Sequence, residues 1–182
     1  MKKYAIKLCA LIFAAIAVIS FTGCGMKTAT IPEDNKVKVS KMDKNATGVE
    51  AICKKFVEKE YVSDDCIKTD AKLIGAKSGY RFDNVAYNGS KFSLEIYEYE
   101  DTSTDIENIE IAKNVISSVK ENGSFDLFGR KVSYCYMSDN DKYLLIYPDS
   151  KSTSGKGDDV ESAKRLEEVL EVINSQKWWL LI

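Results

Sequence analysis

The sequence predicts an α+β domain: an antiparallel sheet of about five strands with three amphipathic helices, in the order α-ββ-α-βββ-α. Three observations predict it. Apolar residues recur at helical spacing in three stretches, each behind a hydroxyl or acidic start signal. Two strand-like stretches flank Asn88-Gly89, a strong hairpin signal. The remaining strand signals are separated by short turns, which forces antiparallel pairing. The expected packing sets all three helices on one face of the sheet and leaves the other face open.

The first helix begins at Thr47-Gly48-Val49-Glu50, which has the form of a capping box. Val49, Ile52, Cys53, Phe56 and Val57 then make its apolar stripe. A hairpin follows, from Gly79 to Tyr87 and from Lys91 to Tyr99. In its second strand Phe92, Leu94 and Ile96 share one face, while Glu95, Tyr97 and Tyr99 share the other. The second helix starts at Thr104, with Glu107 closing the box. Its stripe is Ile106, Ile109, Ala112, Val115, Ile116 and Val119, and Asn122-Gly123 supplies the stop. Three strands come next: Phe125 to Phe128, Lys131 to Met137, and Lys142 to Tyr147. Gly129 and Ser138-Asp139-Asn140-Asp141 provide the turns. The third helix starts at Asp158 with Glu161 three residues on, and carries Ala163, Leu166, Val169, Leu170 and Ile173.

The first 24 residues read differently. Met1 to Lys7 is basic through Lys2, Lys3 and Lys7. Leu8 to Phe21 is almost wholly apolar; about 14 residues is signal-peptide length, whereas a spanning helix needs about 20. Phe21-Thr22-Gly23-Cys24 then resembles the lipobox of bacterial lipoproteins, with Phe21 where Leu is usual. The resemblance covers residues 1–24. It implies that the signal is cut before Cys24 and that the Cys24 sulfur carries a diacylglycerol, with palmitate-type chains holding the protein to the bilayer. The domain then lies on the extracytoplasmic face of the cell membrane. The expected organisation is 1–23 signal peptide, 24–46 lipidated cysteine and flexible tether, and 47–182 a single domain. As a coil the tether reaches about 25 Å.

Composition narrows the function. The chain has no histidine, so Ser–His–Asp, Cys–His and His-ligated zinc chemistry are excluded. Removing residues 1–23, which carry three lysines and no acid, takes the net charge from −2 to −5. An acidic surface gains nothing from phosphate neutralisation, so nucleic acid is not an expected partner. No cofactor or metal is expected. Ser117-Ser118-Val119-Lys120, Ser138-Asp139-Asn140 and Lys77-Ser78-Gly79 match pieces of the penicillin-binding set, but in the wrong order and in too short a chain. Asp139, Asn140 and Asp141 lack the glycine and distal glutamate of a calcium loop.

Of the five cysteines, Cys53, Cys66 and Cys135 remain after cleavage and lipidation. Buried thiols are one reading; a Cys53–Cys66 disulfide is the other. Tyrosine gives the positive surface signal. Tyr97 and Tyr99, with Glu95, form the candidate binding surface on the open sheet face. The expected function is a non-catalytic, membrane-anchored binding module of the cell envelope, with a protein or an envelope polymer as partner. Two alternatives stand beside it: a small histidine-free envelope enzyme, and an envelope-complex subunit docking through Trp178-Trp179-Leu180-Leu181-Ile182.

Overall fold

Tyr143-Leu144-Leu145-Ile146 has no polar residue, so a strand built from it must be covered on both sides. The computed structural model describes residues 35–99, 106–153 and 157–175. The leader, Cys24, the Thr104 cap and the Trp-Trp tail lie outside the described residues.

The strands are β1 Lys36–Lys38, β2 Asp65–Lys68, β3 Ser78–Tyr87, β4 Ser90–Glu98, β5 Ser124–Leu127, β6 Arg130–Ser133, β7 Cys135–Met137 and β8 Tyr143–Ile146. The helices are α1 Gly48–Glu58, α2 Ile106–Asn122 and α3 Gly157–Asn174. Six strands form one sheet in the order β1-β2-β3-β4-β8-β7, and β5 and β6 form a separate hairpin. The pairings β2–β3, β3–β4, β4–β8 and β7–β8 are all antiparallel. The α+β class and element order are as the sequence indicates. Short β1 and β2 are additional, and the expected strand from Lys131 to Met137 breaks in two at Tyr134, whose φ is +60°. Asn88 and Gly89 turn the β3–β4 hairpin with φ of +47° and +75°, the left-handed pair that a tight hairpin requires. Among the described residues no helix is long and apolar enough to cross a membrane.

The helices do not share one face. On the first face Phe82, Leu94, Ile96 and Leu145 pack under Val49, Ile52 and Phe56 of α1 and Leu166, Val169 and Ile173 of α3. On the second face Tyr97, Tyr99, Leu144 and Ile146 pack under Val115 and Val119 of α2 and Phe125 of β5. The expected open face is therefore closed. Most of its residues are apolar or aromatic, and covering them removes that surface from water.

Two residues of the expected tether 24–46 are tied to the domain. Val39 is buried in the first core and donates its N–H to Asp64 O at 2.9 Å. Ser40 donates both its N–H and its hydroxyl to the Asp64 carboxylate, at 2.7 and 2.8 Å. Residues from Val37 onward group with the domain, about ten residues before Thr47.

The start of α1 is also made differently. Thr47 gives no side-chain cap, and Glu50 accepts a hydrogen bond from Tyr80 OH at 2.8 Å. The cap comes from β4: buried Glu98 accepts the Val49 N–H through Oε2 at 2.9 Å, and Lys142 Nζ lies 3.4 Å from Oε1. A carboxylate at a helix N-terminus satisfies a free donor and opposes the helix dipole. Gly48, at φ +62°, makes room for it; a Cβ there would run into the Glu98 carboxylate. Glu98→Ala is expected to lower unfolding free energy by about 2 kcal/mol. Gly48→Ala adds a left-handed alanine and a collision, and is expected to cost about 3 kcal/mol. Urea unfolding checks both; a change under a few tenths of a kcal/mol for Gly48→Ala would contradict the Glu98 cap.

Candidate functional site

The proposed surface residues lie in the second core. Tyr97 is 8% exposed and Tyr99 3%, so neither ring forms a platform in solvent. The reason is steric: α2 and the β5–β6 hairpin cover the face that the alternation of β4 alone marks as open. Gly79, paired with Tyr97 across β3 and β4, lets the Tyr97 ring lie against the sheet, where a Cβ would meet it.

What the fold brings together there is polar rather than aromatic. Arg81 pairs with Glu95 across the strands and is 5% exposed. Its Nε donates to Asp83 Oδ1 at 2.7 Å, and Nη2 donates to Ser93 Oγ at 3.2 Å. Ser93 in turn donates to Asp83 Oδ1 at 2.8 Å. Tyr97 OH donates to Glu95 Oε2. Burial pushes the Glu95 carboxyl up from its ordinary value, while the Tyr97 hydroxyl and the Arg81 charge pull it back. Tyr97 itself is pushed well above the ordinary tyrosine range, first by burial and then by Glu95. Together these groups hold a guanidinium in a core at tolerable cost. Tyr99 differs, because its buried hydroxyl has no hydrogen-bond partner.

The thiols are also placed inside. Cys53, Cys66 and Cys135 are free and buried, so the Cys53–Cys66 disulfide is not formed. Cys53 and Cys66 belong to one core cluster, Cys53 on α1 and Cys66 on β2. Burial raises all three: Cys53 well above its ordinary value, Cys66 to about 11 and Cys135 to about 12. A thiol so raised is protonated near neutral pH and is a poor nucleophile. The acidic turn is structural as well. Asn140 Oδ1 accepts from Ser138 Oγ at 2.7 Å and from the Lys142 N–H at 3.2 Å. Asp141 pairs with Lys120 of α2 at 2.8 Å. Among the described residues no cluster of potential metal ligands occurs.

Aromatic surface emerges at the β5–β6 hairpin instead. Phe128, at its tip, is 55% exposed, and Tyr134, just past its end, is 38% exposed. Both take positive φ, +52° and +60°. The tip is set by Phe128 and Gly129, with the Gly129 N–H donated to Asp126 Oδ1 at 2.7 Å. Beside Tyr134 lies an open hollow of about 250 Å³, walled in part by Asn122, Lys131 and Ser133. The register places Lys131 opposite Asp126 and Ser133 opposite Ser124, so these residues share the hairpin face turned away from Phe125 and Leu127. Asn122 ends α2, and Gly123, at φ +62°, turns the chain into β5. The sequence marks Tyr134 as one strand tyrosine among several; no local pattern shows that the strand breaks there. The chain matches no family model, no curated protein and no solved structure.

The two core tyrosines are expected to respond oppositely. Tyr97→Phe removes a bond to a carboxylate and should cost about 1.5 kcal/mol, whereas Tyr99→Phe removes an unsatisfied hydroxyl and should be neutral or stabilising by up to about 1 kcal/mol. Equal losses in urea unfolding would contradict the placement. Glu95 gives a pH dependence. Because its folded pKa is raised, the native state holds the proton longer than the unfolded chain, so stability falls as pH rises from its ordinary value of 4.5 to the folded one. Glu95→Gln should flatten that slope in urea midpoints measured across this range; an unchanged slope would contradict the raised carboxyl.

Proposed function

We propose that the chain is a membrane-anchored extracytoplasmic lipoprotein whose folded part is a non-catalytic binding module of the cell envelope. The observation that carries this reading is the leader: Lys2, Lys3 and Lys7, the apolar run Leu8 to Phe21, then Gly23-Cys24. A diacylglycerol on Cys24 brings two acyl chains, and two lipid signals hold a protein stably where one does so only marginally.

Two features support a binding role over a chemical one. The three remaining thiols are buried and raised, and a chain without histidine has no ordinary base near neutral pH. Among the described residues two aromatic side chains are exposed, Phe128 at the hairpin tip and Tyr134 past its other end, within reach of a protein or an envelope polymer. An aromatic ring offers contact area with little rotamer entropy to lose. With a net charge of −5 after cleavage, nucleic acid is not the partner.

The test is metabolic labelling with an alkyne analogue of palmitate in a producing bacterium, comparing the natural chain with Cys24→Ser. The natural chain should carry the label, lose its first 23 residues and pellet with membranes. Cys24→Ser should be unlabelled and unprocessed. Label persisting on Cys24→Ser, or an unlabelled natural chain at full precursor mass, would refute the lipoprotein assignment.

A further inference from the structure

We propose that the hollow beside Tyr134 binds a single sugar ring bearing an anionic group, the repeating unit of an acidic amino-sugar glycan. The proposal rests on the binding-module reading and names the ligand class for it.

The donor set matches that chemistry. A sugar ring has an apolar C–H face and a rim of hydroxyl and amide groups. Tyr134 supplies an aromatic ring at the hollow, and Asn122 and Ser133 supply an amide and a hydroxyl, each able to donate and accept. Lys131 supplies an ammonium, a point charge suited to a carboxylate. A volume of about 250 Å³ lies just below the usual range of ligand sites, enough for one ring and too small for a folded partner.

The backbone at this place also favours a sugar over an extended peptide. A peptide would have to add to the edge of β7, yet the Cys135 N–H there is already donated to Gly123 O at 3.0 Å. Tyr134 carries the second argument. A bulky residue at φ +60° is strained, and glycine or asparagine would fit the backbone better. The strain brings no burial in return, since the residue is 38% exposed and belongs to neither core. The ring's use therefore lies in what it presents to the hollow.

The test uses the mature lipidated chain in detergent and saturation-transfer NMR with two probes. One is the disaccharide of N-acetylglucosamine and N-acetylmuramic acid, which bears a carboxylate; the other is neutral diacetylchitobiose. Transfer to the acidic disaccharide is expected. Tyr134→Gly, which suits the left-handed backbone and keeps the fold, should weaken it about tenfold. Lys131→Ala should abolish the preference for the acidic probe over the neutral one. No transfer to either probe at about 1 mM, or undiminished binding by Tyr134→Gly, would overturn the assignment. Tyr134-dependent capture of an envelope protein without glycan transfer would also overturn it, while leaving the binding-module reading intact. Loss of the lipoprotein assignment shows separately, as an unlabelled Cys24 in a chain that still takes up the sugar.

Discussion

Two-sided burial of the sheet's centre governs the rest of this structure. β8 has no solvent face, since Tyr143, Leu144, Leu145 and Ile146 are all buried. Its partner β4 is enclosed with it, Leu94 and Ile96 on one side and Tyr97 on the other. A sheet in that position needs cover above and below, and three helices cannot supply it from one side. α1 and α3 take one face; α2, helped by the β5–β6 hairpin, takes the other. Burial on both sides also sets a demand for hydrogen-bond partners on the polar groups carried in, one that the Tyr99 hydroxyl leaves unmet. Glu98 meets it by capping α1, and Arg81 by its bonds to Asp83 and Ser93. The opposite end of the sheet is fastened in the same manner: Lys151 Nζ donates to Asn88 O in the β3–β4 turn, and Asn88 Nδ2 donates to Ser162 Oγ of α3 at 3.3 Å.

Local signals in the sequence were reliable where the physics is local. The apolar stripes of α1 and α3 are the residues found in the first core, Val49, Ile52, Cys53 and Phe56 and then Leu166, Val169 and Ile173. Asn88-Gly89 makes the turn its chemistry demands. Non-local features were harder to read. Thr47 and Glu50 look like a capping box, but the cap arrives from Glu98, far away in sequence. The alternation of β4 sets Tyr97 and Tyr99 apart from Leu94 and Ile96, yet it holds no record of α2 lying across them. The one sign of that cover was in β8, whose unbroken apolar run marks a strand enclosed on both faces. Short β1 and β2 leave no signal in the sequence because three or four residues are too few to show a period.

The candidate binding surface moved for the same reason. Exposure is settled by neighbours rather than by residue type. Where α2 and the hairpin cover the sheet, tyrosine becomes core, and its hydroxyl either finds Glu95, as Tyr97 does, or stays unpaired, as Tyr99 does. Beyond the cover, Phe128 and Tyr134 come out into solvent on strained backbone.

Residue-resolved tyrosine footprinting measures this arrangement most directly. The folded chain would be nitrated under mild conditions and read by mass spectrometry. The account expects Tyr134 to react readily, and Tyr97, Tyr99 and Tyr147 to react only after denaturation. Tyr97 and Tyr99 reacting in the native chain as fast as Tyr134 would contradict it, because the second face of the sheet would then be open.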